Sequence, residues 1–155
     1  MYPKALVTDA AIRNEIEVLI TEHAWLIDNH KCETIADLYT EDGKMVGAGH
    51  DTVGRAALRE WGINRAKMTH RKARHVLSNL RLVSIGPKLM QGTSVVTLYR
   101  YDTPDGGKPE AVAIADLMDT YELCDDGRWR IKVRDIKEVF ESEVLQKQKA
   151  AAAKH

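Results

Sequence analysis

The sequence predicts an α+β fold: a cone-shaped α+β barrel in which three N-terminal helices pack into the concave side of a curled antiparallel sheet. Two observations predict it. Helical periodicity runs through the first 66 residues and then stops, and after Arg71 come long β-rich stretches divided by strong turn signals. Thr8-Asp9 can cap a first helix over residues 9–29, because Ile12, Ile16, Leu19, Ile20, Ala24 and Ile27 fall on one stripe. A short helix from Cys32 to Tyr39 buries Ile35, Ala36, Leu38 and Tyr39. Glu41-Asp42-Gly43 stops it, and Lys44-Met45-Val46-Gly47 reads as a brief strand. A third helix runs from Thr52 to Ala66 on Val53, Ala57, Leu58 and Trp61, with Gly62 weakening its end.

Four consecutive strands follow, over residues 72–85, 89–101, 110–124 and 128–139. Gly86-Pro87, Pro104-Asp105-Gly106-Gly107 and Asp125-Asp126-Gly127 separate them and make an antiparallel meander. Each strand exceeds the usual length, which implies a strongly twisted sheet. In the first of them Val76, Leu80 and Leu82 share one face, while Leu77, Val83 and Ile85 share the other. A sheet apolar on both faces is covered on both, so the face the helices leave free is expected to meet another subunit. A curled sheet that the helices cannot fill leaves a pocket suited to a small apolar ligand. Residues 1–145 read as one domain, and residues 146–155, rich in Lys and Ala, as an added tail outside the fold.

Composition narrows the function. The 23 Lys and Arg balance the 23 Asp and Glu, which argues against nucleic acid or an anionic membrane surface as partner. No apolar run approaches the roughly 20 residues of a spanning helix, and Met1-Tyr2-Pro3-Lys4 begins no apolar leader. Cys32 and Cys124 make neither a disulfide framework nor a metal knuckle and read as reduced thiols, so a cytoplasmic location is expected.

The chemistry is then sought in the pocket. Asp28 lies at the end of the first helix, on the border of its apolar stripe. Strand periodicity puts His75, Leu77, Asn79 and Arg81 on one face. If that face is concave, Asp28 and His75 can form a general base: the carboxylate accepts the Nδ1 proton, fixes the tautomer and stabilises the imidazolium.

The segments LIDNHKCETIADLYTEDG, RHVLSNLRL and DGRWRIKVR, set in three helices and a four-strand meander, resemble the SnoaL-like superfamily. These nuclear-transport-factor-like cone proteins are related to scytalone dehydratase, hexachlorocyclohexane dehydrochlorinase, bile-acid 7α-dehydratase and the small subunits of ring-hydroxylating dioxygenases. The resemblance spans about residues 8–140. It implies a catalytic Asp at Asp28, a catalytic His at Asp28's partner His75, and a leaving-group Arg at Arg134, with Arg130 its alternation partner. Two departures stand out: the region around Trp25 and Ile27 lacks the Tyr of some dehydratases, and no second pocket His occurs between 76 and 154.

Trp25, Tyr39, Trp61, Asn79, Met118 and Tyr121 are the candidate substrate-binding residues, most of them as core or cavity wall and Asn79 as a donor to a substrate oxygen. Asp116 and Asp119 lie on opposite strand faces and are expected to pair with Arg130 or Arg134. His23 and His30 read as core packing or helix-end contacts, His50 as part of an ordinary Gly-flanked loop, and His70 as part of a solvated junction. No His spacing with a nearby acid supports a metal, and no cofactor is expected. The expected function is a cofactor-independent lyase (dehydratase or dehydrohalogenase type) or isomerase acting on a small hydrophobic cyclic substrate. The alternatives are a non-catalytic dioxygenase small subunit and a hydrophobic-ligand carrier. A homo-oligomer is expected, a trimer in preference to a dimer.

Overall fold

Helix α1 (Ala10–Asp28) opens as its sequence requires: the Oδ1 of Asp9 accepts the backbone N–H of Ile12 at 2.9 Å. Its inner stripe, Ile16, Leu19, Ile20, His23, Ala24 and Ile27, is buried. The structure is a computed structural model that describes residues 5–103 and 107–153. Pro104, Asp105 and Gly106 of the expected turn lie outside the described residues. A 3-10 helix (Cys32–Leu38) follows and packs on α2 (Arg55–Ala66). Gly62 is where the two meet: a Cβ there would lie 2.1 Å from the carbonyl oxygen of Cys32. The residue that the sequence reads as a weak point is the one that lets the helices touch.

The sheet has six strands, β1 (Tyr39–Gly47), β2 (His50–Val53), β3 (Lys72–Gly86), β4 (Leu89–Tyr101), β5 (Ala113–Leu123) and β6 (Trp129–Glu141), in the order β2-β1-β6-β5-β4-β3. The expected meander of four long strands is present. The sheet is not wholly antiparallel, because β1 runs parallel to β6, and it stays open between its edge strands β2 and β3. Residues 41–43 do not end a helix. They form an excursion within β1, since Tyr39 pairs with Ile131 while Lys44 already pairs with Val133. The third helix starts three residues later than its periodicity suggests, because His50–Val53 pairs with Lys44–Gly47 instead.

Of the register slips in the long strands, two separate the side chains of the core from those of the cavity. In β3, Ser78 pairs with Val95 but Arg81 with Thr93, so one extra residue is inserted, and Asn79 takes a left-handed φ of 58°. His75 and Leu77 before the bulge therefore share a face with Leu80 and Leu82 after it. Val76 turns outward at 51% exposure, which corrects the grouping that uninterrupted alternation gives. In β6, Ile131 pairs with Tyr121 and Val133 with Thr120. Trp129 and Ile131 thus point inward below the slip, and Arg134 and Ile136 above it.

Below the slips, Leu58, Leu82, Ile131, Tyr39 and Tyr121 are fully buried and close the narrow end of the cone. Each such aliphatic side chain contributes about 1.5–3 kcal/mol relative to exposure. At the wide end a further helix, α3 (Glu143–Ala152), is capped by the Oγ of Ser142 and buries Leu145. Residues 146–152 are therefore part of a folded helix and not a tail outside the fold: the Ala- and Lys-rich composition that reads as an appendage is also good helix-forming sequence.

Replacing Gly62 by Ala would favour an isolated helix, yet here it should destabilise the protein by about 1–3 kcal/mol through overpacking against Cys32. Urea unfolding of the Gly62→Ala variant measures both the sign and the size.

Candidate active site

Asp28 is the last residue of α1 and sits one position beyond the buried Ile27, so its carboxylate leaves the apolar stripe and meets the edge of the sheet. β3 is that edge: β4 pairs along one side of it, and on the other side the Leu6–Val83 bridge lies beyond the bulge and leaves the backbone amide of His75 to Asp28. Asp28 holds His75 twice. Its Oδ2 accepts the backbone N–H of His75 at 2.8 Å, and its Oδ1 lies 2.6 Å from His75 Nδ1. The side chains are 9% and 24% exposed. With Nδ1–H donated to the carboxylate, Nε2 is the free ring nitrogen, and the imidazole lines the cavity.

That cavity, of about 270 Å³, lies between α1, α2, α3 and the concave face of β3–β6. Its wall is mostly apolar, built from alternate residues of neighbouring strands: Leu77, Val96, Ala115, Leu117 and Ile136. Two further imidazoles enter it from segments before His75. His23 is buried and shares a 2.9 Å hydrogen bond with the Tyr39 hydroxyl. Burial first, then the charge of Arg134, pushes its pKa well below the usual imidazole value. Burial likewise raises the pKa of Tyr39, so both partners are neutral at pH 7. His50 packs edge-on against Trp61, with ring centroids 5.6 Å apart, and its pKa is lowered by burial and by the charge of Lys149. Lys149 reaches the cavity from α3 and is held by Glu138 and by Glu141, the latter at 2.6 Å.

Arg134 is the most deeply buried cation lining the cavity. It is 3% exposed and clamps Asp119 through Nε–H to Oδ1 at 3.1 Å and Nη2–H to Oδ2 at 2.6 Å, while Tyr121 donates to the same Oδ2 at 2.8 Å. Burial opposes its charge, but Asp119 more than compensates and holds the guanidinium protonated. Asp119 is thus the inward acid and pairs with Arg134. Arg130 points out to Asp126.

Of the six residues expected to contact substrate, Trp61 alone lines the cavity. Tyr39 and Tyr121 are fully buried in the core beneath it. Trp25 is 51% exposed on the outer side of α1, and Met118 faces out because its strand neighbours Leu117 and Asp119 face in. Asn79 sits exposed at the bulge, where its tolerance of a left-handed backbone is its contribution. The sequence does not assign His50, Arg65, Arg71, Arg100 or Lys149 to the cavity, and it reads His23 as core packing, which its burial bears out although it also lines the cavity. His23 carried a signal, since it falls within the buried stripe of α1. Among the described residues no group of three His, Cys, Asp or Glu side chains converges as a metal site, and no helix is long and apolar enough to cross a membrane.

The model of the SnoaL-like domain family matches residues 8–135, which contain both Asp28 and His75. The chain belongs to that family. No curated protein matches it. Among solved structures it is similar to the protein named "Putative Scytalone Dehydratase" from Novosphingobium aromaticivorans, at 20% identity over 88% of this chain and 89% of that one, with a TM-score of 0.74. It is similar to LinA at 18% identity over 85% and 88%, with a TM-score of 0.70. A protein of unknown function with a cystatin-like fold from Nostoc punctiforme matches at 18% identity over 87% and 96%, with a TM-score of 0.72. These likenesses establish the cone fold that the SnoaL-like segments imply.

Two outcomes test the electrostatics. Asp119→Ala leaves a buried guanidinium without its carboxylate and should cost about 3–5 kcal/mol in urea unfolding, most of it recovered when Arg134→Met is added to Asp119→Leu. His23 has a lower pKa in the folded protein than in the unfolded chain, so the unfolded chain binds protons first as pH falls. Stability should therefore decline below about pH 6.5, and His23→Gln should flatten that decline in thermal melts.

Proposed function

We propose that this protein is a cofactor-independent lyase or isomerase, with elimination of the dehydratase type the favoured reaction and a small cyclic molecule as substrate. The observation that carries the reading is the double grip of Asp28 on His75. A surface ion pair would not need to fix both the backbone and the ring of its partner, and here the grip orients one nitrogen toward an apolar cavity.

In the reaction, His75 Nε2 takes a proton from carbon next to an activating carbonyl. Asp28 stabilises the imidazolium through Nδ1–H. The electron pair of the broken C–H bond forms the double bond as the neighbouring C–O bond breaks. The hydroxyl leaves as water with the proton that His75 returns. Arg134, which also lines the cavity, is the donor that would hold negative charge developing on oxygen. An isomerase would use the same first step and return the proton to a different carbon. The apolar side chains exposed on the outer face of the sheet, among them Val76, Met118 and Phe140, supply the surface through which copies would associate, a trimer first.

Incubation with a panel of cyclic β-hydroxy carbonyl compounds, followed by mass spectrometry, should find loss of water from at least one. On that compound His75→Ala should lower kcat by about 10²–10⁴, and Asp28→Asn should lower it substantially while the fold persists by circular dichroism. Full activity in both variants refutes the assignment, and tight binding without product favours a carrier.

A further inference from the structure

One end of the cavity holds more positive charge than its walls neutralise. Arg65, in the last turn of α2, is 6% exposed and lines the cavity, yet it enters no ion pair among the described residues. Its one polar contact there is His30 Nδ1 at 3.5 Å. Arg71 and Arg100 line the same end and share a single acid. Each donates from Nε to Asp102 Oδ1 at 2.9 Å, and their Nη2 groups reach Oδ2 at 2.9 and 2.6 Å. Both present the same edge to Asp102 and leave their Nη1 groups without a hydrogen bond among the described residues. Among the described residues these three guanidinium groups have one ion-paired carboxylate, Asp102, between them. Burial first, then the charges of Arg71 and Arg100, weigh against the charge on Arg65, and the more distant Asp28 carboxylate offsets only part of this.

A buried cation without a counter-ion is costly, and evolution keeps one where a ligand supplies the missing charge. A planar guanidinium beside two others suits a carboxylate better than any neutral group, because its parallel N–H bonds match the two oxygens. We infer that Arg65, with the free edges of Arg71 and Arg100, binds a carboxylate of the substrate. The substrate is then an acid with an apolar body, the body lying against Val96, Ala115 and Leu117. This rests on reading the cavity as the substrate site, and not on the elimination chemistry.

Calorimetric titration with benzoate and with benzamide, which share a ring and differ in charge, tests it. Benzoate should bind about tenfold to a hundredfold more tightly and should raise the melting temperature of the unsubstituted protein where benzamide does not. Arg65→Met should fold with an unchanged or higher melting temperature, since it deletes an unpaired buried charge, and should erase the preference while leaving benzamide affinity as it was. His75→Ala should keep the preference, which separates this inference from the catalytic one. Equal affinity for the two probes, binding of neither, or a preference that survives Arg65→Met overturns it.

Discussion

Partway along β3 and partway along β6 a bulge reverses the alternation of inward and outward side chains, and the cavity depends on both reversals. Without the extra residue at Asn79, the strand that carries His75 and Leu77 into the cavity would carry Leu80 and Leu82 out to solvent. The narrow end of the cone would lose part of its core. Without the slip between Ile131 and Val133, either Trp129 and Ile131 or Arg134 and Ile136 would face outward. A regular strand has one inner face along its whole length. This sheet needs its inner face twice, once for a sealed core and once for a lined chamber, and the slips let one strand serve both.

The chamber also shapes the charges that line it. Asp119 and Arg134 neutralise each other at its base, with Tyr121 occupying a remaining lone pair of the carboxylate. Such a pair is weak evidence of stabilisation, because removing two charges from water costs about as much as their attraction returns. Its value is positional: it fixes one edge of a guanidinium and leaves another toward the cavity. The histidines near it are driven toward neutrality by burial and by neighbouring cations. A neutral imidazole can accept a proton or share one, which is the state general acid–base chemistry requires.

How much of this was legible in the sequence follows from what periodicity can carry. The inner stripe of α1, the long strands and the turns between most of them read directly, because each is a local pattern. The approach of Asp28 to His75 came from resemblance, since a separation of 47 positions contains no local signal. Parity failed at Asn79, where a residue tolerant of left-handed backbone was the only trace of a bulge. Gly62 looked like a helix defect because helix propensity does not register a neighbour 2.1 Å from a missing methyl group. Met118 and Trp25 are among the expected substrate contacts, whereas strand alternation and helix phase turn them outward. The parallel pairing of β1 with β6, and the placing of Arg65 and Lys149 at the cavity, are tertiary facts that no spacing encodes.

The free side of β3 has a further consequence. An edge strand of 15 residues offers a row of unpaired backbone groups on which another chain could polymerise. Here both ends of that row are stoppered. Val7 donates its backbone N–H to Leu82 and Ser84 donates to Ala5 at one end, and the Asp28 carboxylate takes the His75 amide at the other. The carboxylate that holds the His75 ring thus also occupies an edge amide to which another strand could pair, so one side chain serves the cavity and the sheet margin together.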